Sequence, residues 1–143
     1  AKVLDVFSGT GSLGFEALSR GAAQATFFEQ DRKACQQLQA NLTTLNAQGI
    51  AQVHQGNALQ LLTQASIQHP VQLVFIDPPF QQNLVNPAIK LLEQHAWLAP
   101  NALVYIETER QAAVEIPPHW QLHREKSMGQ SAAMLYRVTT TPG

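Results

Sequence analysis

Short runs of β-branched and aromatic residues alternate along the chain with stretches whose apolar positions recur at helical spacing. Val3 to Phe7 reads as a strand. A glycine-rich turn leads from it into a helix from about Ser12 to Arg20, closed by Gly21. Ala25 to Glu29 reads as a second strand. The helix after it, about Arg32 to Asn46, sets Ala34, Leu38, Leu42 and Leu45 on one stripe. Val53 to Gln55 is a short third strand, and Leu59 and Leu62 mark a helix behind it. Val71 to Ile76 is almost continuously apolar, as in a central strand covered on both faces, and Pro78 and Pro79 stop it. A helix from about Asn86 to His95 and a fifth strand from Ala102 to Glu107 complete the alternation. Trp120 to Glu125 and Met134 to Thr139 flank Gly129 and predict an antiparallel hairpin.

This grammar predicts an α/β fold with a doubly wound, mostly parallel, seven-stranded sheet and an antiparallel strand at its C-terminal edge. Ligands of such sheets bind beyond the carboxyl ends of the strands, where the strand order switches. Four segments are therefore expected to converge: Phe7 to Gly14, Glu29 to Asp31, Gln55 to Ala58, and Asp77 to Phe80.

Composition narrows the function classes. The 143 residues are 45% hydrophobic and 13% charged, which suits one domain with a full core and argues against disorder. A formal net charge of −1 argues against binding nucleic acid by bulk electrostatics alone. The single Cys35 excludes an internal disulfide and points to the cytosol; on its helix it reads as a quiet thiol. The five histidines show no metal-ligand spacing, so no metal site is expected. The chain opens at Ala1 directly into a strand, and a preceding segment is expected.

Gly9-Thr10-Gly11-Ser12-Leu13-Gly14 matches the glycine pattern that lets a backbone turn tightly and approach a ligand. Dinucleotide oxidoreductases and methyltransferases both use it. Glu29 closes the second strand, with Gln30 beside it, where an acid accepts hydrogen bonds from ribose hydroxyls. Asp31 reads as a helix cap. Asp5 lies four residues before Gly9. A carboxylate there suits a cationic ammonium and repels a pyrophosphate; a buried Asp held by backbone N–H groups is the plain alternative.

Asp77-Pro78-Pro79-Phe80 is the most informative segment. Two prolines withdraw two N–H donors, leaving a carboxylate and outward carbonyls as a donor-free pocket for an amino group. Phe80 offers a face on which a base can stack. Trp97 and Trp120 are expected at the sheet edges. Arg110, Arg124, Lys126 and Arg137 read either as an RNA path or, with better odds for scattered charges, as solvated surface. Lys126 to Ser131 is a candidate substrate loop.

Asp5-Val6-Phe7-Ser8-Gly9-Thr10-Gly11-Ser12-Leu13-Gly14, Glu16-Ala17-Leu18-Ser19-Arg20-Gly21-Ala22 and Asp77-Pro78-Pro79-Phe80 together resemble the RsmD family. Its members are bacterial S-adenosyl-L-methionine (SAM)-dependent methyltransferases acting on the exocyclic N2 of a guanine in small-subunit (16S) ribosomal RNA. The resemblance implies that residues 1–143 form the catalytic domain, with S-adenosyl-L-homocysteine (SAH) as the cofactor product. It implies that Asp5, Gly9 and Gly11 hold the methionine part of SAM and Glu29 its ribose, with Phe7, Ser8 and Gln30 also binding the cofactor. Asn57, in the cofactor-binding segment Gly56-Asn57-Ala58, would face the adenine, offering both an acceptor and a donor. Asp77 and Pro78 would hold the guanine amine and Phe80 would stack on the base, Pro79 completing the catalytic segment. The implied partner is 16S rRNA, free or in an assembling subunit; the protein is expected to be a monomer without membrane contact. A DNA adenine-N6 or cytosine-N4 methyltransferase and an NAD-dependent oxidoreductase are the rival readings.

Overall fold

The computed structural model describes residues 1–9, 11–64, 70–79, 83–110 and 112–139. Seven strands form one sheet: β1 (Lys2–Asp5), β2 (Gln24–Glu29), β3 (Ala51–Gln55), β4 (Val71–Ile76), β5 (Leu98–Glu109), β6 (Trp120–Met128) and β7 (Ser131–Val138). Their order is β3-β2-β1-β4-β5-β7-β6. The first five run parallel, and β7 lies antiparallel to both β5 and β6. The chain winds outward from β1 to β3 and then crosses back to place β4 on the other side of β1. The switch point therefore lies between β1 and β4, and their carboxyl ends open the crevice.

Helices α1 (Ser12–Ser19) and α2 (Arg32–Thr44) cover one face, and α3 (Ala58–Leu61) and α4 (Val85–Gln94) the other. Strand alternation divides the core between them: Val3 and Phe27 pack with Leu38 and Leu42, while Leu4, Phe28, Val74 and Ile76 pack with Ile89 and Leu92. Asp5 shares the face of Val3, two residues along. Asp31 caps α2 by accepting the Ala34 N–H at 2.9 Å, as its sequence position suggests. Among the described residues, no helix is long and apolar enough to cross a membrane.

Three expectations change. The reversed strand is not at the edge: β7 slots between β5 and β6, which is the edge strand. β5 begins at Leu98 rather than Ala102, because Leu98 already pairs with Val71 and a register irregularity absorbs Asn101, whose φ is +63°. Trp97 is not at an edge either. It is 1% exposed in the larger core, meets Phe28 edge-on and donates its indole N–H to the Leu62 carbonyl at 2.7 Å. Trp120 does sit on the edge strand, its indole N–H bonded to the Glu93 carboxylate at 2.6 Å.

Candidate active site

After β1 the chain makes a turn in which each glycine has a different task. Gly9, at φ +55°, faces open space, so its backbone is accessible to a ligand. Gly11, at φ +86°, caps α1, and a Cβ there would overlap the Leu38 side chain. A Cβ on Gly14 would overlap the ring of Phe27, so its absence brings α1 close to β2. Backbone bonds set the loop: the Ser8 N–H donates to the Phe28 carbonyl at 2.9 Å and the Gly11 N–H to the Ser8 carbonyl at 2.7 Å. The Ser8 hydroxyl donates to the Asp5 carbonyl at 2.9 Å.

Glu29 ties this turn to β2. One carboxylate oxygen accepts the Gly9 N–H at 2.7 Å and the other the Asp31 N–H at 2.8 Å. Each oxygen keeps a second lone pair for a hydroxyl donor. Its carbonyl accepts the Gly56 N–H at 2.9 Å, which anchors the turn after β3. Asn57 caps α3: its Oδ1 accepts the N–H groups of Leu59 at 3.0 Å and Gln60 at 3.2 Å. Both acceptor lone pairs are thus engaged, so the amide Nδ2 is the group left for a ligand. The expected double role of Asn57 reduces to a donor.

Asp77, Pro78 and Pro79 follow β4 directly and stand opposite these elements. The cavity between them measures about 400 Å³ and is lined by Val6, Phe7, Gly9, Phe28, Glu29, Gln30, Asn57, Ala58, Leu59, Asp77, Pro78, Pro79 and Leu84. That volume suits a nucleoside-sized ligand. On the far side of the proline turn, a second cavity of about 270 Å³ shares Pro78, Pro79 and Leu84 and reaches Asn86, Thr108 and Glu115.

The structure thus brings Phe7, Gly9, Glu29, Gln30, Asn57, Ala58, Asp77, Pro78 and Pro79 to one cavity. Asp5, Ser8, Gly11 and Gly56 do not line it and shape the loops behind it. Phe80 lies outside the described residues. Val6, Phe28, Leu59 and Leu84 also line the cavity and were not singled out in the sequence; Val6 and Phe28 were legible as apolar residues one step before the expected ligand contacts.

The electrostatics are acidic throughout. Asp5 is 1% exposed; its Oδ2 accepts the Gly14 N–H at 3.3 Å, and Oδ1 has no hydrogen-bond partner among the described residues. Burial raises its pKa to about 7, the Gly14 bond opposes this, and the charges of Asp77 and Glu29 add to it. Asp77 is half-buried, and desolvation followed by the nearby Glu107 carboxylate lifts it to about 6. Asp5, Glu29, Asp77 and Glu107 thus gather at the carboxyl ends of β1, β2, β4 and β5. Such a field draws a cationic ligand and repels a pyrophosphate.

The remaining candidates lie elsewhere. Arg110 holds the hairpin turn, bonding through its guanidinium to the Gly129 carbonyl at 3.2 Å. Arg124 and Lys126 are exposed on β6 beside a separate depression with Tyr105, Ala133 and Leu135. Lys126 to Ser131 is not a loop: β6 runs to Met128, Gly129 turns at φ +62°, and β7 starts at Ser131. Cys35 donates to the Glu29 carbonyl at 3.3 Å, and burial, Glu29 and Asp31 push its thiol up, against nucleophilic use. Among the described residues, no cluster of His, Cys, Asp and Glu could hold a metal ion.

The family model described as conserved hypothetical protein 95 matches residues 1–137. The ribosomal RNA small subunit methyltransferase D of Escherichia coli (strain K12) is 49% identical over 138 residues, covering 96% of this chain and 68% of the relative. The chain belongs to the RsmD family. The crystal structure of the putative methylase HI0767 from Haemophilus influenzae is 43% identical to this family member, with a TM-score of 0.91 over 98% of this chain and 88% of the other. A more distant structure, an RNA methyltransferase from Salinibacter ruber in complex with SAH, shares the fold at 15% identity and a TM-score of 0.71, covering 99% of this chain and 83% of that one. The fold of the RsmD family member is accordingly that of class I methyltransferases.

Proposed function

We propose that residues 1–143 are the catalytic domain of a SAM-dependent methyltransferase acting on the exocyclic N2 of a guanine in small-subunit (16S) ribosomal RNA. The observation that carries this reading is the pairing of a donor-free proline turn with a cavity that the carboxylates of Glu29 and Asp77 line. The names of the relatives supply the ribosomal RNA. The acceptor character of Asp77 and Pro78 supports an exocyclic amine as the target; the choice of guanine N2 comes from the family resemblance.

The residues present fit SAM. A buried carboxylate oxygen of Asp5 without a partner, together with Glu29, favours the cationic amino acid end. Gly9 leaves its backbone open to it, Glu29 has lone pairs for ribose hydroxyls, and the Asn57 amide can donate to an adenine ring nitrogen. When bound, SAM supplies an electrophilic methyl group on a sulfonium. A dinucleotide would set a pyrophosphate among these same carboxylates, which disfavours the oxidoreductase.

Asp77 and the Pro78 carbonyl accept the two hydrogens of the target amine and draw its lone pair out of conjugation with the base. Prolines at both following positions keep competing N–H donors away. Positioning and a negative field around an amine that gains positive charge then supply most of the acceleration. No covalent enzyme intermediate is needed.

The test incubates the protein with labelled SAM and either small ribosomal subunits, their naked RNA or DNA, followed by nucleoside mass spectrometry. Label in N2-methylguanosine from the ribosomal RNA is the expected result. Label in N6-methyladenine or N4-methylcytosine from DNA would replace this reading with its rival.

A further inference from the structure

We propose that Glu107, held by the hydroxyl of Tyr105, is a positioning residue that keeps Asp77 a strong proton acceptor facing the target amine. The proposal rests on Asp77 being the residue that holds that amine.

Register places the two carboxylates side by side. Ile76 of β4 pairs in parallel with Ile106 of β5, and Phe75 pairs with Tyr105. Asp77 and Glu107 are the next residues on the two chains, on the face that Phe75 and Tyr105 share. The rings of Phe75 and Tyr105 meet edge-on at 5.9 Å, which fixes the tyrosine. Its hydroxyl donates to a carboxylate oxygen of Glu107 at 2.7 Å. Glu107 is therefore held in one place, half-buried, at the strand end where the proposed chemistry occurs.

The groups around Asp77 do not neutralise this arrangement. β1 contributes Asp5 and β2, beyond it, Glu29; β5 contributes Glu107 and Tyr105. On the far side of Glu107, β7 presents only the methyl of Ala133. The cation in that row, Lys126 of β6, lies one strand further out and is exposed. On α4, Lys90 lies 3.9 Å from Glu115. A second carboxylate beside Asp77 weakens the sheet locally, since like charges on neighbouring strands repel. Its consequence for Asp77 is chemical: the neighbouring charge makes the aspartate more basic.

That basicity has a use in the transfer. The amine nitrogen forms a bond to the methyl carbon with its lone pair, and sulfur keeps the electron pair of the bond that breaks. The nitrogen is then cationic and loses one N–H proton to Asp77, which passes it to water. Glu107 touches neither reactant; it acts through Asp77.

Two readouts on the full chain test this. The first is a carbon-13 NMR titration of the Asp77 carboxyl without substrate, in wild type, Glu107→Gln and Tyr105→Phe. The wild-type midpoint near 6 should fall by about 0.5 pH unit or more in Glu107→Gln. The second is the pH–rate profile on small-subunit RNA. Its acid limb should move to lower pH by the same amount, with kcat on the plateau reduced about twofold to threefold and KM unchanged. Glu107→Asp should restore part of the loss, and SAH affinity should hold within about twofold in every variant. An Asp77 midpoint identical in wild type and Glu107→Gln overturns the proposal. Should Glu107→Gln not fold, an Asp77 midpoint in Tyr105→Phe equal to wild type overturns it instead. A wild-type protein inert on ribosomal RNA sinks the functional reading, and the NMR titration judges Glu107 separately.

Discussion

The turns after β1 and after β4 begin at neighbouring strand ends, each next to an aspartate, and they are built in opposite ways. The glycine turn is rich in N–H donors, and its backbone is wired to Glu29, Phe28 and Asp5. The proline turn has two donors removed and offers oxygens. Burial raises both aspartates, yet Asp5 is sealed behind its turn while Asp77 lines the cavity. One aspartate belongs to the architecture and the field of the site, the other to its contact surface. The lesson is that residue type and strand position do not assign a role; what the following backbone donates or withholds does.

Substitutions can break or sharpen this contrast. Asp77→Ala should lower the rate of methyl transfer by about 10³-fold without lowering the melting temperature, checked by single-turnover kinetics and a thermal scan. Gly14→Ala should cost about 2–3 kcal/mol, read as a lower urea midpoint with unchanged slope, because the added methyl meets the ring of Phe27. Gly9→Ala, with open space before it, should cost about 1 kcal/mol from its positive φ and chiefly weaken SAH binding in calorimetry.

Asp5→Asn isolates the buried charge. Its carboxyl has a folded-state pKa of about 7 against an ordinary 3.8. Between those values the folded protein binds more protons than the unfolded chain, so wild-type stability declines as pH rises through that window. The variant should therefore match wild type near pH 4 and exceed it at pH 8 by on the order of 4 kcal/mol, measured by urea denaturation at each pH. The smallest effect is expected from Asn57→Ala, which removes the α3 cap and should cost about 1 kcal/mol by the same denaturation assay.

Local chemistry made much of this legible in the sequence. The strand-turn-helix around Gly9 and the abrupt stop at Pro78 are dictated within a few residues, and both turns were readable as ligand segments. Long-range pairing was not. Nothing near Ser131 says that β7 inserts between β5 and β6, and Leu98 joins β5 only because Val71 lies across from it. The capping role of Asn57 was not legible in sequence because it depends on where α3 starts. Glu107 passed unnoticed for a similar reason: in a strand it reads as a solvated charge, and its meaning comes from Tyr105 and from Asp77 on the adjacent strand.

The most direct test is a crystal structure of the protein with SAH and a guanine-containing oligonucleotide from small-subunit RNA. The account predicts the exocyclic amine hydrogen-bonded to the Asp77 carboxylate and the Pro78 carbonyl, on the side facing the sulfur. A target amine held by N–H or hydroxyl donors, or lying away from Asp77, would contradict it.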